Sequence, residues 1–66
     1  MTEKQKKVLD FIKRYHKVHS FAPTLREIAE SFEIHINAAR QHVLSLEKKG
    51  LITRTEGLSR SIKVVK

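Results

Sequence analysis

One proline and two glycines are the strongest breakers in this 66-residue chain, and they decide what it can become. Pro23 lacks a backbone N–H and pushes the residue before it toward extended geometry, so no helix runs across positions 22 and 23. Gly50 suits the left-handed residue that closes a helix, and Gly57 the positive-φ position of a hairpin loop. The hydrophobic spacing changes across these marks. Up to Lys49 apolar residues recur at helical intervals, and after Gly50 they alternate with a period of two. There is no internal repeat, linker or low-complexity stretch. The order is helix, helix, helix, hairpin, in one domain spanning residues 1–66.

Local signals sharpen each segment. Thr2-Glu3-Lys4-Gln5 is a capping box, a hydroxyl at the cap with Gln three residues on. The helix it starts is expected over about 3–17. Val8, Ile12 and Tyr15 share its inner face with Leu9 and Phe11 at the flanks, and Lys6, Asp10, Lys13, Arg14 and Lys17 lie opposite. Thr24-Leu25-Arg26-Glu27 is a second box and opens a helix over 25–32 with Leu25, Ile28, Ala29 and Phe32 inward. A third helix is expected over about 36–49, with Ala39, Val43 and Leu46 as its core face. Wing strands are expected at 51–55 and 61–65, joined by a loop through Gly57, with room for a third short strand near residues 21–23. The fold class is mainly α with a small β-hairpin, a winged helix-turn-helix.

Composition excludes several classes of protein. A globular domain of this size buries only about 60% of its unfolded surface, so one small core is available and no deep pocket. No stretch approaches the roughly 20 apolar residues of a membrane span. The N-terminus carries no apolar signal-peptide region. Without Cys the chain has neither disulfides nor thiolate metal sites, which fits a reducing cytoplasm. His16 and His19 stand i,i+3 on one helix, yet no third ligand is evident, so neither metal nor cofactor is expected. No nucleophile or acid–base constellation stands out, so an enzyme is not expected, and no small-molecule substrate is evident.

The charge is the positive clue. The net charge is +7, which for so small a surface points to polyanionic partners. The first 22 residues and the second half are basic, and an acidic stretch with Glu27, Glu30 and Glu33 lies between them. On the third helix Asn37, Arg40, Gln41, Leu44 and Lys48 form a stripe opposite the core face. An α-helix fits the major groove of B-DNA, where Asn37 and Gln41 can pair with adenine, Arg40 with guanine, and Ala38 can sit on a thymine methyl. Arg54, Ser59, Arg60 and Lys63 would meet phosphates from the wing. Thr24 and Arg26 would meet another at a helix N-terminus. Each feature also has a plainer reading, as solvent face, helix cap or strand guard. Their conjunction on one surface favours DNA.

The residues Pro23-Thr24-Leu25-Arg26-Glu27-Ile28-Ala29, Asn37-Ala38-Ala39, His42-Val43 with Leu46, Lys49-Gly50-Leu51-Ile52 and Gly57-Leu58-Ser59-Arg60-Ser61-Ile62 resemble the N-terminal winged helix of the LexA repressors. The likeness covers nearly the whole chain. It implies sequence-specific reading of double-stranded DNA, a palindromic operator bound as a dimer, repression of DNA-damage response genes, and a cytoplasmic, nucleoid-associated location. By this resemblance Asn37, Ala38, Arg40 and Gln41 read bases, His35 and Ile36 occupy the turn into the reading helix, and Ser59 and Arg60 meet the backbone. His35 and Lys48 complete the expected backbone set with Thr24, Arg26 and Arg54.

The sequence departs from the enterobacterial pattern at two places. The turn between the second and third helices is one residue shorter, with Glu33 where Gly is usual. Positions 40 and 41, often acidic there, are Arg40 and Gln41, so no operator sequence is carried over. The family's second domain, with its Ser-Lys self-cleavage site and dimer contacts, has no counterpart in these 66 residues. Both an isolated domain and a free-standing small protein fit that. Two other functions remain open on sequence alone. One is a protein–protein adapter docking through Leu44, and the other is nonspecific nucleic-acid binding.

Overall fold

Where each helix begins and ends follows from local bonding in a computed structural model that describes residues 2–55, 57–58 and 60–65. Helix α1 spans Glu3–His19. The Thr2 hydroxyl accepts the Gln5 N–H at 3.2 Å, and the Gln5 amide oxygen accepts the Thr2 N–H at 3.4 Å. This satisfies two of the donors that every helix start leaves open. The helix runs two residues past the expected end because nothing interrupts it before Ser20. That residue turns left-handed at φ 67° and donates its N–H to the His16 carbonyl at 2.8 Å.

Helix α2, Leu25–Phe32, opens on the second box. Thr24 Oγ1 accepts from the Glu27 N–H at 3.1 Å, and the Glu27 carboxylate accepts from the Thr24 N–H at 2.9 Å. It closes at Glu33, which sits at φ 54° while the Ile34 N–H bonds back to the Ala29 carbonyl at 3.0 Å. Helix α3, Ile36–Lys48, follows after three residues, Glu33, Ile34 and His35. Its end is a Schellman turn: Gly50 at φ 77° donates to the Glu47 carbonyl at 2.9 Å, and Leu51 donates to the Leu46 carbonyl at 3.1 Å.

The wing is shorter than its alternation suggests. Strands β1, Ile52–Thr53, and β2, Lys63–Val64, pair antiparallel with Ile52 opposite Val64 and Thr53 opposite Lys63. One further bond, Val65 N–H to the Leu51 carbonyl at 3.0 Å, continues the base. Toward the tip the Ser61 hydroxyl takes over the role of the ladder. It accepts the Thr55 N–H at 3.0 Å and lies 3.1 Å from the Thr55 carbonyl and 2.8 Å from that of Leu58. A side chain thus satisfies groups that cross-strand backbone would otherwise bind. Residues 21–23 form no strand. Pro23 has no N–H to offer a ladder, and the Ala22 carbonyl is already bound by Arg60 at 3.0 Å.

All five elements meet in one core. Val8, Leu9 and Ile12 come from α1, Ile28 and Ala29 from α2, and Ala39, Val43 and Leu46 from α3; Ala22, Ile52 and Ile62 complete it. Phe11, Leu25 and Phe32 are half-buried against it. Ile52 and Ile62 face inward from the two sides of the hairpin, which ties the wing to the helices. No charged or polar residue is buried among the described residues.

Candidate nucleic-acid interface

Helix α3 has two unlike faces. Ala39, Val43 and Leu46 are wholly buried at 0% exposure, and they fix the helix to α1, α2 and the wing. At about 100° per residue, Asn37, Arg40 and Gln41 fall within one sector on the other side. All three are exposed, and Ala38 beside them is half-buried. Lys48 is exposed at the far end of the same helix, about 20 Å from its start at 1.5 Å per residue. His35 forms the N-cap, its Nδ1 accepting the Asn37 N–H at 3.4 Å. That bond uses the ring as an acceptor and is long, so it caps the helix weakly. Leu44, in the middle of the outward sector, is half-buried, not a projecting anchor. Ile36, by contrast, is 43% exposed in the first turn, an apolar group next to Asn37 that the polar pattern of the stripe did not pick out.

Four of the expected backbone-contact residues come together. Thr24, Arg26, Arg54 and Arg60 line one cleft of about 240 Å³ between the start of α2 and the wing, with Pro23 and Leu58 among its apolar walls. In the first turn of α2 the Glu27 N–H is already taken by Thr24 Oγ1, and the remaining N–H groups with the positive end of the dipole favour an anion. The cleft holds less free charge than three arginines suggest. Arg54 pairs with Glu47 of α3, Nε to Oε1 at 3.3 Å, and is mostly covered. Arg60 pairs with Glu27 through two bonds, Nη1 to Oε1 at 3.0 Å and Nη2 to Oε2 at 2.8 Å. Arg26 is exposed. Ser59 lies outside the described residues. His35 and Lys48 stand apart from the cleft.

The surroundings of Arg60 were not legible from local sequence. Its guanidinium also lies 4.6 Å from the centre of the Phe21 ring. Phe21 in turn packs edge-on against Tyr15 at 5.9 Å, and Tyr15 packs on Phe11 at 5.7 Å, so an aromatic row runs from the arginine along α1. The bidentate Arg60 contact, and next the Thr24 N–H, hold the Glu27 carboxyl down at about 2 from an ordinary 4.5, against a smaller opposing effect of burial. Glu27 therefore stays ionised well into acid. Glu27, Phe21 and Glu47 are the residues of this region that sequence reasoning missed. The one available signal was Glu27 in its capping box, and that signal announced a helix start, not a partner 33 residues away.

Two comparisons bear on this arrangement. The family model described as LexA DNA binding domain matches residues 1–61. The chain is 52% identical over 66 residues to the LexA repressor of Thermosipho melanesiensis, covering 100% of this chain and 33% of that protein. It is 48% identical over 66 residues to the LexA repressor of Thermosipho africanus, again over 100% of this chain and 33% of the relative. With the LexA repressor of Pseudothermotoga lettingae the identity is 45% over 65 residues, 98% of this chain and 32% of the relative. The chain thus spans about a third of the length of the curated relatives it matches.

Proposed function

Because the chain belongs to the LexA DNA-binding domain family, we propose that it is a sequence-specific reader of double-stranded DNA serving a LexA-like transcriptional repressor of the DNA-damage response. Helix α3 enters the major groove. Asn37, Arg40 and Gln41 meet base edges there, and Ala38 meets a thymine methyl. Thr24, Arg26 and Arg54 hold the phosphate backbone around the cleft, His35 and Lys48 hold it at the two ends of α3, and Ser59 is a further backbone contact. The operator is palindromic and takes two copies of the module, in a cytoplasmic, nucleoid-associated setting. The observation that carries this is the division of α3 into a wholly buried face and an exposed polar one. The adapter reading rests on Leu44 as an open docking residue, and its half-burial weighs against that role.

One module touching about six phosphates gives a log–log salt slope of roughly −5, so a single copy binds weakly at physiological salt. Two copies on adjacent half-sites gain through effective concentration. The test is selection of bound duplexes from a random library at about 0.15 M salt, the physiological range. Enrichment of a short half-site, or of a spaced palindrome, supports the proposal. Arg40→Ala and Gln41→Ala should then each relax preference at one base position by about 1–3 kcal/mol. Binding without enrichment, or uniform loss in both variants, would refute base reading by this face.

A further inference from the structure

We propose that Arg60 is a positioning residue that clasps the wing to the start of α2 through Glu27, and that it does not itself neutralise a DNA phosphate; this rests on the DNA-reading function proposed above. A two-stranded hairpin whose ladder spans two residues a side is marginal by itself and needs an outside hold. Arg60 supplies one. Its guanidinium donates to both Glu27 carboxylate oxygens, at 3.0 and 2.8 Å, and to the Ala22 carbonyl at 3.0 Å. One face is stacked on Phe21 at 4.6 Å. The planar fork is thus engaged along its edge and over a face, a geometry that Lys cannot reproduce.

The backbone agrees. Arg60 sits at φ 56°, a left-handed conformation that costs a non-glycine residue free energy. Glu27 is fixed from the other side by the Thr24 N–H at 2.9 Å, so cap, carboxylate and guanidinium form one chain of bonds from α2 to the wing. An acidic side chain on a surface meant for a polyanion repels it, and the bidentate pairing with Arg60 cancels that cost. The clasp sets where Arg54 and the rest of the wing stand relative to α3.

The experiment is a set of titrations of the selected duplex over about 0.05–0.3 M salt, where counterion release is read from the slope. The proteins are the parent chain, Arg60→Lys, Arg60→Ala, Glu27→Gln and the double variant Glu27→Gln/Arg60→Lys. With a clasp, every variant binds about tenfold more weakly, the double is no worse than either single, and the salt slope stays at the parent value. Glu27→Gln is the sharpest arm, because removing a negative charge alone should tighten binding to DNA. A direct phosphate contact predicts the opposite pattern. Arg60→Lys then keeps parent affinity, Arg60→Ala loses about 0.9 of slope, and Glu27→Gln tightens. That pattern overturns the proposal.

Hydrogen exchange of the free proteins gives an arm independent of DNA. The Thr55 and Leu58 amides should exchange faster in Arg60→Lys than in the parent, and equal rates would also overturn the clasp. If the parent bound no duplex, the DNA-reading function would fall while this arm still decided the clasp. Circular dichroism checks the helices of each variant. Should Glu27→Gln disturb the cap of α2, Arg60→Lys carries the test alone, since it keeps the charge and leaves Thr24 and Glu27 in place.

Discussion

Replacing Glu33 with Gly should stabilise this domain, although it deletes a side chain. Glu33 closes α2 at φ 54° and ψ 46°, is exposed, and stands at the negative end of the helix dipole. Left-handed geometry costs an L-residue with a Cβ about 1–2 kcal/mol, and glycine escapes that cost. Against this, glycine gains freedom in the unfolded chain worth about 0.4–1 kcal/mol. Removing a carboxylate from an exposed helix C-terminus returns about 0.3 kcal/mol at the low end. The balance is a gain of about 1 kcal/mol, and for a domain of this size that raises the melting temperature by about 4–8 °C. Thermal unfolding followed at 222 nm, the usual helix signal, measures it directly. Glu33→Ala separates the two contributions, because it removes the charge and keeps the strained φ. It should gain no more than about 0.3 kcal/mol. If Ala stabilised as much as Gly, or if Gly destabilised, the backbone argument would be refuted.

Two further outcomes follow from named contacts. Glu27 has its folded carboxyl lowered to about 2 from 4.5, so its stabilising effect is complete above about pH 4.5 and is lost as the pH falls toward 2. Melting temperatures of the parent should therefore exceed those of Glu27→Gln by a margin that is constant near neutrality and shrinks between about pH 4.5 and 2; a margin independent of pH would contradict the ion pair. Ile28 is 0% exposed between the helices, so Ile28→Ala should cost about 2–5 kcal/mol, comparable to the whole stability of a core this small. Urea titration should find it largely unfolded in dilute buffer, with Gln41→Ala as a control within about 0.5 kcal/mol of the parent.

What the sequence discloses about this fold is what neighbouring residues decide. Thr2 with Gln5 and Thr24 with Glu27 are three residues apart, so both helix starts can be read and both are formed as read. Gly50 marks the end of α3 for the same local reason. Alternation predicts longer strands than form, because it reports which side chains face inward, not which backbone groups pair; Ser61 takes the Thr55 N–H, and the ladder stops short. Arg60 shows the deeper limit. In sequence it is a basic residue of a wing, while in the fold its partners are Phe21, Ala22 and Glu27, more than 30 positions away. Nothing in the local pattern distinguishes an arginine aimed at solvent from one folded back on a helix. The left-handed Glu33 was visible as a residue in an unusual place, and its conformation only in the structure.

The two faces of α3 also bear on how such a chain can change over time. Ala39, Val43 and Leu46 answer to the whole core, so substitutions there are filtered by folding. Asn37 and Gln41 answer to no core neighbour, and folding exerts almost no veto over them. Lineages carrying this scaffold can therefore drift at the outward positions while remaining folded at every step. With that face as the proposed DNA reader, a new target preference is reachable by single substitutions, without passing through an unstable intermediate.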